Sequence, residues 1–180
     1  MNKNLKSASK FLSLLLRHQP EKLALNMDDE GWVEIGELVA NSASNNVSFT
    51  EQMIREIVAT SDKQRFAIDR SGKRVRANQG HSIDVNLNLE VVDPPLVLYH
   101  GTADRNVESI LHDGLIKQSR QHVHLSATIE TAKNVGQRHG RPVIFSVDCE
   151  RMKTGGFAFF KSKNGVWLVD HVPSEFLALM

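Results

Sequence analysis

The chain has 180 residues, 24% of them charged, and a formal net charge of +1. That length allows one large domain or two small ones, and the near-neutral balance decides neither for nor against a nucleic-acid partner. Its single cysteine, Cys149, excludes an internal disulfide framework and a thiolate metal cluster, and no apolar run approaches the ~20 residues of a membrane span. The expectation is a soluble cytoplasmic protein. The run Phe11-Leu12-Ser13-Leu14-Leu15-Leu16 is too short for a signal-peptide core, and Arg17-His18 closes it without a small-residue cleavage site.

The first half reads as a small helical domain ending in a hairpin. Ser7 or Ser9 is the expected cap of a helix through Phe11, Leu12, Leu15 and Leu16, with Pro20 beyond its end. Asp28-Asp29-Glu30-Gly31 is a turn, Trp32-Val33-Glu34-Ile35 a short strand, and Glu37-Leu38-Val39 the start of a second helix. Thr50 precedes a third helix, with Met53, Ile54, Ile57 and Val58 at helical spacing. Arg65–Ile68 and Arg74–Ala77 then flank the Gly-containing loop Asp69–Lys73. Helices followed by a two-stranded ribbon form a winged-helix pattern.

Asp93-Pro94-Pro95 suits a linker, which places the domains at 1–92 and 93–180. Beyond it, Val97–Tyr99, Val123–Leu125, Val143–Val147 and Val166–Val169 read as short buried strands, with helices over Asn106–His112 and Thr128–Arg138. Strands interrupted by only two clear helices predict an α+β class. No coiled-coil heptad suggests assembly, so a monomer is expected.

Chemistry-bearing residues cluster in the same segments. From Lys63 to His81 there are six Lys or Arg residues against one acid, and from Lys117 to Arg141 five against one. Such stretches suit phosphates, or are solvated surface. His100 follows an apolar triplet and precedes Gly101, where the backbone can be approached closely. His122 and His124 alternate and so share a strand face; with His100 they raise a metal reading. No cysteine and no HExxH-type pattern supports it, and no metal is expected. Ser126 suits either a helix cap or a ligand contact. Arg17-His18 at a helix end and Arg138 near another are also natural places for structural cations.

Together these motifs resemble the RNA 2′-phosphotransferase family, within the wider ADP-ribosyltransferase fold. The resemblance rests on Leu14-Leu15-Leu16-Arg17-His18, Gly31-Trp32-Val33, Ser61-Asp62-Lys63-Gln64-Arg65-Phe66 and Gln79-Gly80-His81-Ser82. It continues in Leu98-Tyr99-His100-Gly101-Thr102, His122-Val123-His124-Leu125-Ser126, Gly136-Gln137-Arg138-His139-Gly140 and Asn164-Gly165-Val166-Trp167, all in family order. It implies a winged-helix RNA-binding lobe followed by an ADP-ribosyltransferase-like lobe with a mixed β-sheet. It also implies removal of an internal 2′-phosphate from tRNA-like RNA, as in tRNA splicing, with NAD as co-substrate. The 2′-phosphate would attack the nicotinamide ribose and expel nicotinamide. The neighbouring ribose hydroxyl would then attack phosphorus, giving 2′-hydroxyl RNA and ADP-ribose 1″,2″-cyclic phosphate. By motif position, Arg17, His18, Arg65 and Arg138 match the family's phosphate-handling and catalytic residues. His100, Gly101, Thr102, His124 and Ser126 match its NAD positions.

A phosphate dianion is already a nucleophile, so the first step needs positioned charge rather than a strong base. Arginine forks grip phosphate oxygens and can stabilise charge building on them in the second step. His18 would either shuttle a proton or only bind phosphate. Val166 stands where toxin-type ADP-ribosyltransferases carry a catalytic Glu, which fits a phosphate acceptor. Two alternatives remain: transfer of ADP-ribose to nucleic-acid ends or protein, and a non-enzymatic winged-helix nucleic-acid binder.

Overall fold

A computed structural model describes residues 3–43, 48–61 and 63–180, in two units, Met1–Asn88 and Leu89–Met180. Asp62, quoted above within a motif, lies outside the described residues.

In the first unit, helix α1 spans Lys3–Arg17 and buries Leu5, Ala8, Leu12, Leu15 and Leu16. The helix therefore begins before Ser7 and Ser9, which lie inside it rather than capping it. The reason is that Leu5 and Ala8 continue the apolar stripe toward the N-terminus. Pro20 opens a 3-10 turn, Pro20–Leu23, whose exit residue Ala24 is left-handed at φ 47°. Strand β1 (Val33–Glu34) runs directly into α2 (Ile35–Ser42). The Thr50 side chain accepts from the Met53 N–H at 3.1 Å and starts α3 (Glu51–Ala59).

Strands β2 (Phe66–Ile68) and β3 (Arg74–Ala77) form the hairpin, and β1 adds to it in the antiparallel order β1-β3-β2. Asp69 organises its loop. Its carboxylate accepts from the Ser71 hydroxyl at 2.8 Å, the Lys73 N–H at 3.1 Å and Arg74 Nε at 3.0 Å, while Gly72 supplies φ +74°. Despite burial pushing the other way, those donors hold the Asp69 carboxyl below the usual carboxylate range. The core joins Leu12, Leu15 and Leu16 to Leu38, Ile54, Ile57 and Val75.

The second unit opens with β4 (Val97–Ala103), a short turn over Asp104–Asn106 and α4 (Val107–Asp113). Strand β5 (Val123–Leu125), α5 (Ile129–Gly136), β6 (Pro142–Asp148) and α6 (Cys149–Thr154) follow. The chain ends through β7 (Phe159–Lys161), β8 (Trp167–Val169) and β9 (Leu177–Leu179). Two three-stranded sheets result, β4-β6-β9 and β5-β8-β7. Every pair in them is antiparallel among the described residues, so the expected mixed sheet gives way to antiparallel ladders. The β7–β8 link shows why: a tight turn at Gly165, φ +79°, can only return the strand antiparallel. Tyr99 and Ser126 exchange backbone bonds of 2.9 and 2.7 Å that tie β4 to the end of β5.

The class is thus α+β. Helix α6, absent from the sequence reading, is capped by the Asp148 carboxylate on the Arg151 N–H at 3.0 Å. No helix among the described residues is long and apolar enough to cross a membrane.

Candidate functional site

Strand alternation puts His100 and Thr102 on one face of β4 and Gly101 on the other. These two residues line a cleft of about 560 Å³, joined by His124 from β5 and by Lys117, Arg120 and His122 from the preceding loop. His100 Nδ1 lies 3.1 Å from the His124 carbonyl and His124 Nδ1 lies 3.0 Å from the His122 carbonyl. A carbonyl only accepts, so in each ring Nδ1 carries a proton, and the neutral His100 ring keeps an acceptor lone pair on Nε2. Burial, and then the Arg120 charge, push the His100 pKa below its ordinary value, against the hydrogen bond to His124. Burial and Lys117 do the same to His122. The Thr102 hydroxyl accepts from Asn106 Nδ2 at 2.9 Å, which leaves its proton free to be donated.

Gly101 carries a packing contact on the face of β4 opposite His100. A methyl group there would overlap the Ala132 carbonyl of α5. One turn later a Cβ on Gly136 would lie 2.7 Å from the Thr102 carbonyl oxygen. The sequence Ala132-x-x-x-Gly136 thus lets α5 lie directly on the β4 backbone, on the face opposite His100. That contact holds the strand that presents His100 and Thr102.

Ser126 does not line the cleft, and its backbone bonds to Tyr99 fix the end of β5. The cap of α5 is Thr128, whose side chain accepts from the Thr131 N–H at 3.2 Å, rather than Ser126. Thr128 stands directly before the helix, where a cap must be, and Ser126 is held two residues back by Tyr99. Arg138 is exposed past the end of α5, its N–H bonded to the Val135 carbonyl, and it does not line the cleft. Arg120 and Lys117 do. Both belong to the basic stretch from Lys117 to Arg141, but charge alone could not tell which of its cations turn inward.

Among the described residues, no group of three or more His, Cys, Asp or Glu side chains is gathered as a metal site.

The first unit collects its own basic site at the end of α1. The Ser82 N–H donates to the Arg17 carbonyl at 2.9 Å, and its hydroxyl meets His18 Nδ1 at 2.8 Å. The Arg17 guanidinium lies along Gly80, 3.7 Å from where a Cβ would stand at φ +90°. His81 beside them is 1% exposed, and neither ring nitrogen has a hydrogen-bond partner among the described residues. Burial, then the charges of Arg17, His18 and Arg76, push its pKa down to about 4, so it stays neutral among cations. Arg76 is itself nearly buried, stacked 4.5 Å over the Trp32 ring, and donates to the Glu30 carbonyl at 3.2 Å.

This gives the motifs Gly31-Trp32-Val33 and Gln79-Gly80-His81-Ser82 a shared place behind Arg17 and His18, which spacing could not reveal. Arg65 sits just ahead of β2, its carbonyl accepting from the Asn78 N–H at 2.9 Å, and lines a groove beside α1.

Comparison with known proteins bears on both units at once. The family model described as RNA 2′-phosphotransferase, Tpt1 / KptA family, matches residues 3–171. A protein of Hahella chejuensis named probable RNA 2′-phosphotransferase is 53% identical over 180 residues, covering 100% of this chain and 97% of that protein. Proteins of the same name from Trichormus variabilis and Streptomyces coelicolor are each 52% identical, over 172 and 169 residues. Those matches cover 96% and 94% of this chain, and 94% and 92% of the respective relatives.

Proposed function

We propose, since this chain belongs to the RNA 2′-phosphotransferase (Tpt1/KptA) family, that it transfers an internal RNA 2′-phosphate to NAD by way of 2′-phospho-ADP-ribosylated RNA. The products are 2′-hydroxyl RNA, nicotinamide and ADP-ribose 1″,2″-cyclic phosphate. The observation that carries the NAD part is the cleft in which neutral His100, the Thr102 hydroxyl and His124 meet the cations Lys117 and Arg120.

Its volume of about 560 Å³ lies within the range of ligand pockets, and its donor set suits a dinucleotide. His100 Nε2 would accept a ribose hydroxyl, Thr102 would donate to an oxygen, and the two cations would answer the pyrophosphate. NAD supplies a ribose carbon from which nicotinamide can leave. Gly101 and Ser126 would support this site through the backbone, by seating α5 and by tying β5 to β4.

Arg17, His18 and Arg65 would hold the 2′-phosphate, with Arg138 as a further phosphate ligand. Bidentate arginine contacts keep the dianion oriented as a nucleophile and then stabilise charge on its oxygens. In the second step the ribose hydroxyl loses a proton and the RNA 2′-oxygen gains one. His18, held through Nδ1 by Ser82, would carry that proton on its other nitrogen. The Arg17 and Arg76 charges that help to hold His81 neutral would also attract a phosphate.

On this reading residues 1–92 form a winged-helix RNA-binding lobe and 93–180 an ADP-ribosyltransferase-like NAD lobe. The protein acts as a cytoplasmic monomer on tRNA-like RNA, without a metal.

The test is a short RNA with one radiolabelled internal 2′-phosphate, incubated with and without NAD. Label passing into ADP-ribose cyclic phosphate only with NAD is the expected result. Label retained on an RNA–ADP-ribose adduct would restrict the protein to the first step. No NAD-dependent change from folded protein would overturn the reading.

A further inference from the structure

Helix α1 carries a second feature of the first unit, on the face away from its core. Lys6, Lys10, Ser13 and Arg17 recur at i, i+4, i+7 and i+11, so they share one helical stripe about 16 Å long at ~1.5 Å per residue. Lys6, Lys10 and Ser13 line a groove of about 710 Å³ whose other wall comes from the end of α3 and from Ser61 and Arg65. Glu56 is the one acid in that lining, against Lys6, Lys10 and Arg65. Neither lysine forms an ion pair among the described residues, and both are exposed.

The placement of Lys6 is costly for the helix. It stands in the first turn of α1, where the macrodipole favours acids, and that turn holds none. A cation kept against the dipole, one helical turn from a second, next to hydroxyls and ending at Arg65, has the layout of a phosphate track. Lysine charges attract backbone phosphates without reading sequence, and serine hydroxyls donate to their oxygens.

We infer that the α1–Arg65 groove binds the backbone phosphates of single-stranded RNA flanking the modified nucleotide, with Lys6 and Lys10 as the two contacts farthest from the reaction. The inference rests on the reading of Arg65 as a ligand of the 2′-phosphate, because that residue sets the end of the track. A rise of about 6 Å between Lys6 and Lys10 suits two neighbouring phosphates of an extended strand, and the groove's hydroxyls and lack of aromatic side chains fit backbone rather than base recognition.

The test uses the full chain and a fluorescein-labelled 12-nucleotide single-stranded RNA without a 2′-phosphate, titrated by anisotropy across a series of KCl concentrations. Each phosphate contact to a single strand contributes about 0.7 to the slope of log K against log salt. The double variant K6A/K10A places the best helix former at two exposed sites, so α1 is retained. Its slope is expected to be shallower than wild type by about 1.4, with K6R/K10R restoring the wild-type value.

An unchanged slope in K6A/K10A would overturn the inference. So would binding of poly-glutamate at least as tight as RNA and lost in the same variant, which would assign the groove to an acidic peptide. NAD-dependent turnover on the same wild-type preparation separates this from the reaction. Lysine-dependent binding without turnover removes the reaction and leaves the track, whereas turnover with an unchanged slope removes the track alone.

Discussion

The Ser82 hydroxyl stands 2.8 Å from His18 Nδ1, and the same residue donates its backbone N–H to the Arg17 carbonyl at 2.9 Å. One serine thus fixes the end of α1 and the ring of the adjacent histidine, and Gly80 beside it leaves room for the Arg17 guanidinium. Replacing Ser82 by Ala removes one hydrogen bond while keeping the backbone tie. We expect a stability loss of only about 1 kcal/mol but a fall in kcat of about 10-fold or more, because His18 loses its orientation. Single-turnover kinetics on 2′-phosphorylated RNA and a urea midpoint measure the two effects, and Ser82→Thr should recover most of the rate. A stability loss with unaltered kcat would leave Ser82 a purely structural residue.

His81 should make the first unit sensitive to acid. Its pKa falls from an ordinary 6.5 to about 4 in the folded chain, through burial first and the neighbouring cations second. Between those two values the unfolded chain binds more protons than the folded one, so stability rises with pH across the window and is lost as pH falls through it. The full effect is about 3 kcal/mol. Denaturation followed by Trp32 fluorescence, with Trp167 replaced by Phe, should show a steep loss from pH 6.5 to pH 4. His81→Gln should flatten it.

Two glycines should respond in opposite directions to the same added methyl. Gly101→Ala drives a Cβ into the Ala132 carbonyl, and neither backbone can yield without separating α5 from β4. The expected cost is about 3 kcal/mol or more. At Gly36, in α2, a Cβ meets nothing within 4 Å. Gly36→Ala should stabilise the chain by roughly 0.5–1 kcal/mol. Thermal unfolding of the two variants tests the assignment of Gly101 to packing; a stable Gly101→Ala with impaired NAD binding would instead return it to the ligand face.

The two arginines of the second unit can be separated by substitution. Arg120 lines the His100 cleft and lowers the His100 pKa, whereas Arg138 is exposed beyond α5. Arg120→Ala should raise the KM for NAD by about 10-fold and shift the acid limb of the pH–rate profile upward, since His100 would protonate more readily. Arg138→Ala should leave that limb in place and act, if it binds the phosphate, on the RNA terms. The reverse pattern would move the phosphate end of the cleft to Arg138.

What the sequence determined by itself was whatever depends on neighbours along the chain. Leu12, Leu15 and Leu16 announce α1, Thr50 caps α3, and the loop Asp69–Lys73 turns the hairpin, because periodicity, capping and turn chemistry act over a few residues. Short motifs in order likewise sufficed for the family, and His100, Thr102 and His124 for one wall of the cleft.

Only tertiary structure decided the rest. The three-residue strands β7 and β9 have too little local signal to be read alone and exist because β8 and β6 supply their hydrogen bonds. Gly101 carries no mark of which side it serves until α5, some thirty residues on, settles against it. Choosing Arg120 rather than Arg138 as a cleft residue, or gathering Trp32, Arg76 and His81 behind Arg17, requires distances between residues far apart in the chain. Side-chain type fixes what a residue can do; burial and neighbouring charge, which are properties of the folded packing, decide whether it does so.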